Sequence, residues 1–223
     1  MRIILSTFLL FTASLLTQAQ SDTVFYRRVF DEGAWHTIYR EPDSLSSRYD
    51  ELAFFDIEFM DRDVYDAEKA ALLESQIYPQ HHALEGIPKY WVGLFRYEEQ
   101  WVAYYPCNFL WHYKVIINDT EYIDWTGEGP QVNYLRGARQ IDENTWEFKM
   151  KGNYRENDTI LIHLIDREKG IAIFEEDGTA GKVYYPMITS STIHQVPLIV
   201  NDCPNVLQDE FEFGITDFSV FVK

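Results

Sequence analysis

The chain has 223 residues, 46% of them hydrophobic and 25% charged, which suits one globular domain with a sizeable core. With 36 acidic against 19 basic residues the formal charge is −17, which excludes a nucleic-acid binder of the ordinary basic kind and disfavours attraction to anionic lipid. Aromatic residues at 16% are far too many for a solvated, disordered tail.

Met1-Arg2, an uncharged apolar run to Leu16, and Thr17-Gln18-Ala19 form the three parts of a secretory signal peptide. Residues 1–19 are therefore read as a signal peptide and 20–223 as a single β-rich domain. The apolar run is shorter than the ~20 residues that span a bilayer, so no membrane span is expected after cleavage. Export leads to an oxidising compartment, and Cys107 and Cys203 are read as a disulfide in preference to two buried thiols.

Residues 20–50 are polar and irregular, with one strand expected at 23–30. Residues 51–60 read as a strand, because Phe55, Ile57 and Phe59 alternate with Asp56 and Glu58. A helix is expected at about 64–77, capped by Asp63 and stopped by Pro79, with Ala70, Leu73 and Ile77 on one face. Residues 20–89 thus form an N-terminal segment with one helix, and residues 90–223 a β-meander.

Strands are expected at 90–97, 101–105, 112–118, 121–125, 131–140, 145–151, 158–166, 171–175, 182–188, 194–200 and 212–222. In 145–151 Trp146, Phe148 and Met150 point inward. The run 158–166 is apolar on both faces and reads as a central strand. Turns every 8–12 residues or so predict a mainly β fold: an antiparallel meander forming a full or partial barrel, with a sandwich as second choice and one N-terminal helix packed on it.

Gly33-Ala34-Trp35 resembles the Gly-x-Trp that opens the lipocalin barrel, and Thr216-Asp217-Phe218 is similar to that family's Thr-Asp-Tyr. The resemblance covers six residues and implies at most a related barrel with Trp35 on its first strand. Some fifty residues, including the helix, separate Trp35 from the meander here, and the family's C-terminal helix has no room.

The densest chemical feature is aromatic. Between Tyr90 and Tyr113 lie ten aromatic residues, and Val183-Tyr184-Tyr185-Pro186 echoes Ala103-Tyr104-Tyr105-Pro106. Rings of this kind line pockets for sugars and apolar ligands, although core packing is the simpler account of most of them. Alternation sets Trp101, Ala103 and Tyr105 on one face and Val102 and Tyr104 on the other, so part of the cluster should be covered by other layers. His163 interrupts an apolar strand and should sit in or beside the core, hydrogen-bonded or as a pocket base. The candidate ligand contacts are Trp91, Trp101, Tyr104, Tyr105, Trp111, His163, Tyr184 and Tyr185.

No helical His-x-x-x-His, EF-hand spacing, Gly-x-Ser-x-Gly, Walker loop or dinucleotide fingerprint occurs, so no metal, cofactor or catalytic residue is assigned. His81-His82 reads as a solvated loop pair, and Asp61 and Asp63 as helix-start residues. The expectation is an exported, non-catalytic binding protein for a small apolar or sugar-like ligand in an aromatic-lined cavity or groove. The alternatives are a secreted glycan hydrolase with two facing carboxylates, one of raised pKa, and an envelope interaction or scaffold module.

Overall fold

The computed structural model describes residues 24–29, 35–108, 112–155, 158–178, 181–203 and 209–222. The signal peptide expected at 1–19, Gly33-Ala34 and Trp111 lie outside the described residues.

Strand β1 (Val24–Val29) forms an antiparallel hairpin with β2 (Trp35–Arg40), in a region expected to be largely irregular. Three helices follow: α1 (Ser47–Leu52), α2 (Ile57–Met60) and α3 (Arg62–Glu74). Next come β3 (Tyr90–Tyr97) and β4 (Gln100–Tyr105). A run of antiparallel hairpins continues through β5 (Tyr113–Ile117), β6 (Glu121–Thr126), β7 (Gly129–Gln140), β8 (Thr145–Gly152), β9 (Asp158–Asp166), β10 (Ile171–Gly178) and β11 (Gly181–Thr189). A 3₁₀ turn at Ser190–Gln195 leads to β12 (Leu198–Asp202).

The expected barrel is present and closed. β11 and β5, the two ends of the meander, both pair with β3, giving eight antiparallel strands in the order β3-β11-β10-β9-β8-β7-β6-β5. β3 serves two sheets. Its first half, Tyr90–Gly93, closes the barrel, and its second half pairs with β4. From β4 an outer sheet runs through β12 and β2 to β1, with β4 and β12 parallel.

The period-two pattern explains what fills the barrel. Trp146, Phe148 and Met150 of β8 point inward as expected, and meet Ile160, Ile162 and Leu164 of β9, Ala172 and Phe174 of β10, and Met187 of β11. Trp91, Tyr122, Phe148 and Phe174 are among the largest fully buried side chains. The β4 alternation also holds. Trp101, Ala103 and Tyr105 join the cluster under α1 and the 3₁₀ turn, while Val102 and Tyr104 join a cluster on the other face.

Several local expectations are corrected. Residues 51–60 form no strand: they hold the end of α1, a link at 53–56 and α2, which starts where the Asp56 carboxylate accepts the Phe59 N–H at 3.0 Å. Phe55 and Ile57 still reach the barrel wall, against Ile116, Ile123 and Trp125. The buried face of α3 carries Tyr65 and Leu72, and Leu73 is exposed. A polar anchor sets that rotation: the Tyr65 hydroxyl and Lys69 Nζ reach the buried Glu121 carboxylate at 2.8 and 3.1 Å. The helix ends before Pro79. Gln76 takes the left-handed φ of 58°, Gln76 N–H donates to Leu73 O, and Ile77 N–H to Leu72 O.

Residues 209–217 form no strand. Phe211 packs on Phe25 and Tyr97, and Phe213 packs on Phe95 and Tyr104. The Glu210 carboxylate takes the Tyr104 hydroxyl, the Asn201 amide and the Asn108 N–H in place of a ladder. A 3₁₀ turn at Phe218–Phe221 then packs on Trp101. β12 begins at Leu198, after a turn where a strand from 194 was expected, and it belongs to the outer sheet. The lipocalin-like expectation also fails at Trp35, which lies on β2 outside the barrel and is half exposed.

Candidate functional site

The disulfide is present: Cys107, just past β4, is bonded to Cys203, just past β12. It ties two neighbouring strands of the outer sheet.

One end of the barrel interior is filled by charge. Arg155, from the β8–β9 loop, donates to Asp124 through Nε at 3.0 Å and Nη2 at 3.2 Å, and to Glu176 through Nη1 at 2.6 Å. Tyr113 and Asn133 donate to the two Asp124 oxygens, and Tyr185 donates to the second Glu176 oxygen. Gly152 leaves the space that the Asn133 side chain occupies, since a Cβ there would stand 2.0 Å from Asn133 Oδ1. Burial raises the Asp124 pKa against the pull of Arg155. For Arg155 burial works the other way, and the charges of Asp124 and Glu176 overcome it and hold the guanidinium protonated. Two acids, one with a raised pKa, thus meet here. All four of their oxygens are already engaged by the protein.

The candidate ligand contacts do not converge. Trp91 is fully buried in the barrel core and donates from Nε1 to the Pro88 carbonyl at 2.8 Å. Trp101 lies under Phe218, Phe221 and Arg96. Tyr104 is held by Glu210 and Asn201. Tyr185 belongs to the Arg155 network, while its neighbour Tyr184 points to the other face of β11. His163 faces outward on β9 and pairs with Glu175 at 3.2 Å, the hydrogen-bonded arrangement expected for it. His81 lies 3.2 Å from Asp119. The carboxylate of Asp61, expected only to serve the helix start, accepts the Trp125 Nε1–H at 2.6 Å.

Among the described candidates, only Tyr105 borders an open cavity lined mainly by apolar surface. That cavity has a volume of about 670 Å³ and lies outside the barrel, within the range of small-molecule sites. Its floor is the outer face of β5 and β6, where Lys114 and Trp125 are cross-strand partners. α1 contributes Asp50 and Glu51 to one wall, Phe54 and Met60 come from the segment that follows, and Tyr105 and His112 form the opposite side. Phe54, Phe59 and Met60 are 45, 77 and 59% exposed, a cluster of large apolar side chains at the mouth of a cavity. Gly129 holds the nearby β6–β7 turn close to α3: its φ is +107°, and a Cβ would stand 3.0 Å from Val64. Two further cavities, beside Glu210 and beside Lys69, are bordered largely by charged and polar groups.

Among the described residues, the floor of the groove has one cation. Lys114 Nζ donates to the carbonyls of Phe54 at 2.9 Å and Glu51 at 3.4 Å, and lies over the rings of Phe55 and Trp125. Burial brings its ammonium down to about 8. Burial, helped by the Lys114 charge, brings the neighbouring His112 down to about 4, so its imidazole is neutral at pH 7. The Tyr105 hydroxyl donates to Glu51, and Arg48 stacks on the Tyr105 ring.

Comparison of the chain with known protein families, curated proteins and solved structures finds no match. Sequence reasoning missed the groove because alternation hid it. Phe54-Phe55 and Phe59-Met60 place apolar residues on both faces of a presumed strand, more than one buried face can absorb, and that excess was the available signal. Lys114 reads as an ordinary outward residue of a half-buried strand.

Proposed function

We propose that the protein is an exported, non-catalytic binding protein that holds a small apolar ligand in the groove between α1–α2 and the outer face of β5–β6. The observation that carries this reading is the exposure of Phe54 and Met60 around a cavity of about 670 Å³ floored by Trp125. Solvent-facing apolar groups around a concavity gain free energy when a ligand removes them from water. The disulfide accords with export. Among the described residues no helix is long and apolar enough to cross a membrane.

N-phenyl-1-naphthylamine, an uncharged fluorophore that brightens in apolar sites, tests the reading. It should bind saturably at one site per chain. The double variant Phe54→Ser/Met60→Ser, altered only at exposed positions, should fold normally and bind at least tenfold more weakly, about 1.4 kcal/mol. Unchanged binding by the folded variant, or no saturable signal from the wild type, would count against it.

A further inference from the structure

The groove reading leaves the ligand class open, and Lys114 narrows it. Resting on that reading, we propose that the ligand is an amphiphilic monocarboxylate, its acid head on Lys114 and its apolar chain along Phe54 and Met60.

An ammonium has three donors, and the two protein groups that accept from Lys114 are neutral carbonyls. Among the described residues no carboxylate oxygen lies within 4.0 Å of its Nζ, although the chain has 36 acids. A half-buried cation without an anion at hydrogen-bond distance is unfavourable, and a carboxylate delivered from outside relieves it through a charge-assisted hydrogen bond.

The acids lining the groove do not fill this role. Glu51 receives the Tyr105 hydroxyl and lies 3.9 Å from Arg48. Asp61 accepts from Trp125. Asp50, at the exposed rim, lies 3.7 Å from His194.

The same surroundings limit the charge of the head group. His112 is neutral, so Lys114 stands as one positive charge facing Glu51 of α1 and Asp61 before α3. A doubly charged phosphate would meet twice the repulsion from that pair of carboxylates that a monocarboxylate meets, with the same single ammonium to offset it. The apolar wall then requires the rest of the molecule to be a hydrocarbon chain.

Calorimetric titration of the mature, disulfide-intact protein at pH 7 with dodecanoate and with 1-dodecanol, both below their micellar or solubility limits, tests the proposal. Dodecanoate should bind at least tenfold more tightly than the alcohol. Lys114→Met should abolish that preference and still bind 1-dodecanol, and Lys114→Arg should keep it. In the wild type the preference should fade as the pH rises from 7 to 9.5, while alcohol binding stays level.

Equal binding of acid and alcohol by the wild type, or a preference that survives Lys114→Met, overturns the assignment of the head group and leaves the groove reading standing. Binding of neither overturns both.

Discussion

Replacing Arg155 with methionine should destabilise the fold by about 3–5 kcal/mol, the cost of removing one partner from a buried ionic cluster. The guanidinium makes a two-point contact with Asp124, a hydrogen bond to Glu176 at 2.6 Å and an ion pair with Asp158 at 3.3 Å. Without it Asp124, with a side chain only 4% exposed, would keep two neutral donors and, among the described residues, no cation at the buried barrel end. Urea unfolding of the variant measures the loss. Adding Asp124→Asn and Glu176→Gln to Arg155→Met should restore part of the stability, because the charges that need a partner are then gone. A loss under 1 kcal/mol in the single variant would mean that water reaches the cluster and the barrel end is open.

The double variant Cys107→Ser/Cys203→Ser should lose up to about 4.7 kcal/mol, the chain-entropy value for a loop of this length. The two cysteines are 96 residues apart, and the segment between them contains every barrel strand except β3. The bridge therefore shortens the unfolded chain across nearly the whole barrel, although its sulfurs lie in the outer sheet. Thermal unfolding with and without reductant should show the same loss in the wild type. Equal stability of the oxidised and reduced forms would contradict this account.

Much of the barrel was legible because most of its strands follow one rule, the period of two. Trp146, Phe148 and Met150 lie inward as their spacing requires, and 158–166, apolar on both faces, sits between β8 and β10. The rule failed where alternation had another cause. In 51–60 Phe55 precedes the Asp56 cap and Ile57 opens α2, so a link and one capped turn bring both side chains to the barrel wall without a strand. In 209–217 it produced an extended strap held by Glu210 side-chain bonds rather than by a ladder. In α3 the apolar spacing alone chose the wrong face, because Glu121, remote in sequence, fixes the helix through Tyr65 and Lys69. The exchange of β3 between two sheets left no local mark at all.

The candidate site was less legible than the fold. It is assembled from 47–61, Tyr105, 112–114 and 125–127, four stretches that no periodicity links. Of the aromatic residues between Tyr90 and Tyr113, Trp91 and Tyr104 serve the cores, and density of rings could not separate them from Tyr105, which borders the groove. Lys114 becomes conspicuous only when its surroundings are seen to hold carbonyls and rings but no free carboxylate.

The most direct test of the account is a crystal structure of the mature protein with 12-bromododecanoate, with the bromine located by its anomalous signal. The account predicts a single bromine in the groove beside Phe54 and Met60, with the carboxylate at hydrogen-bond distance from Lys114 Nζ. Bromine inside the barrel or on the outer sheet, or none in crystals of a protein saturated in solution, would contradict it.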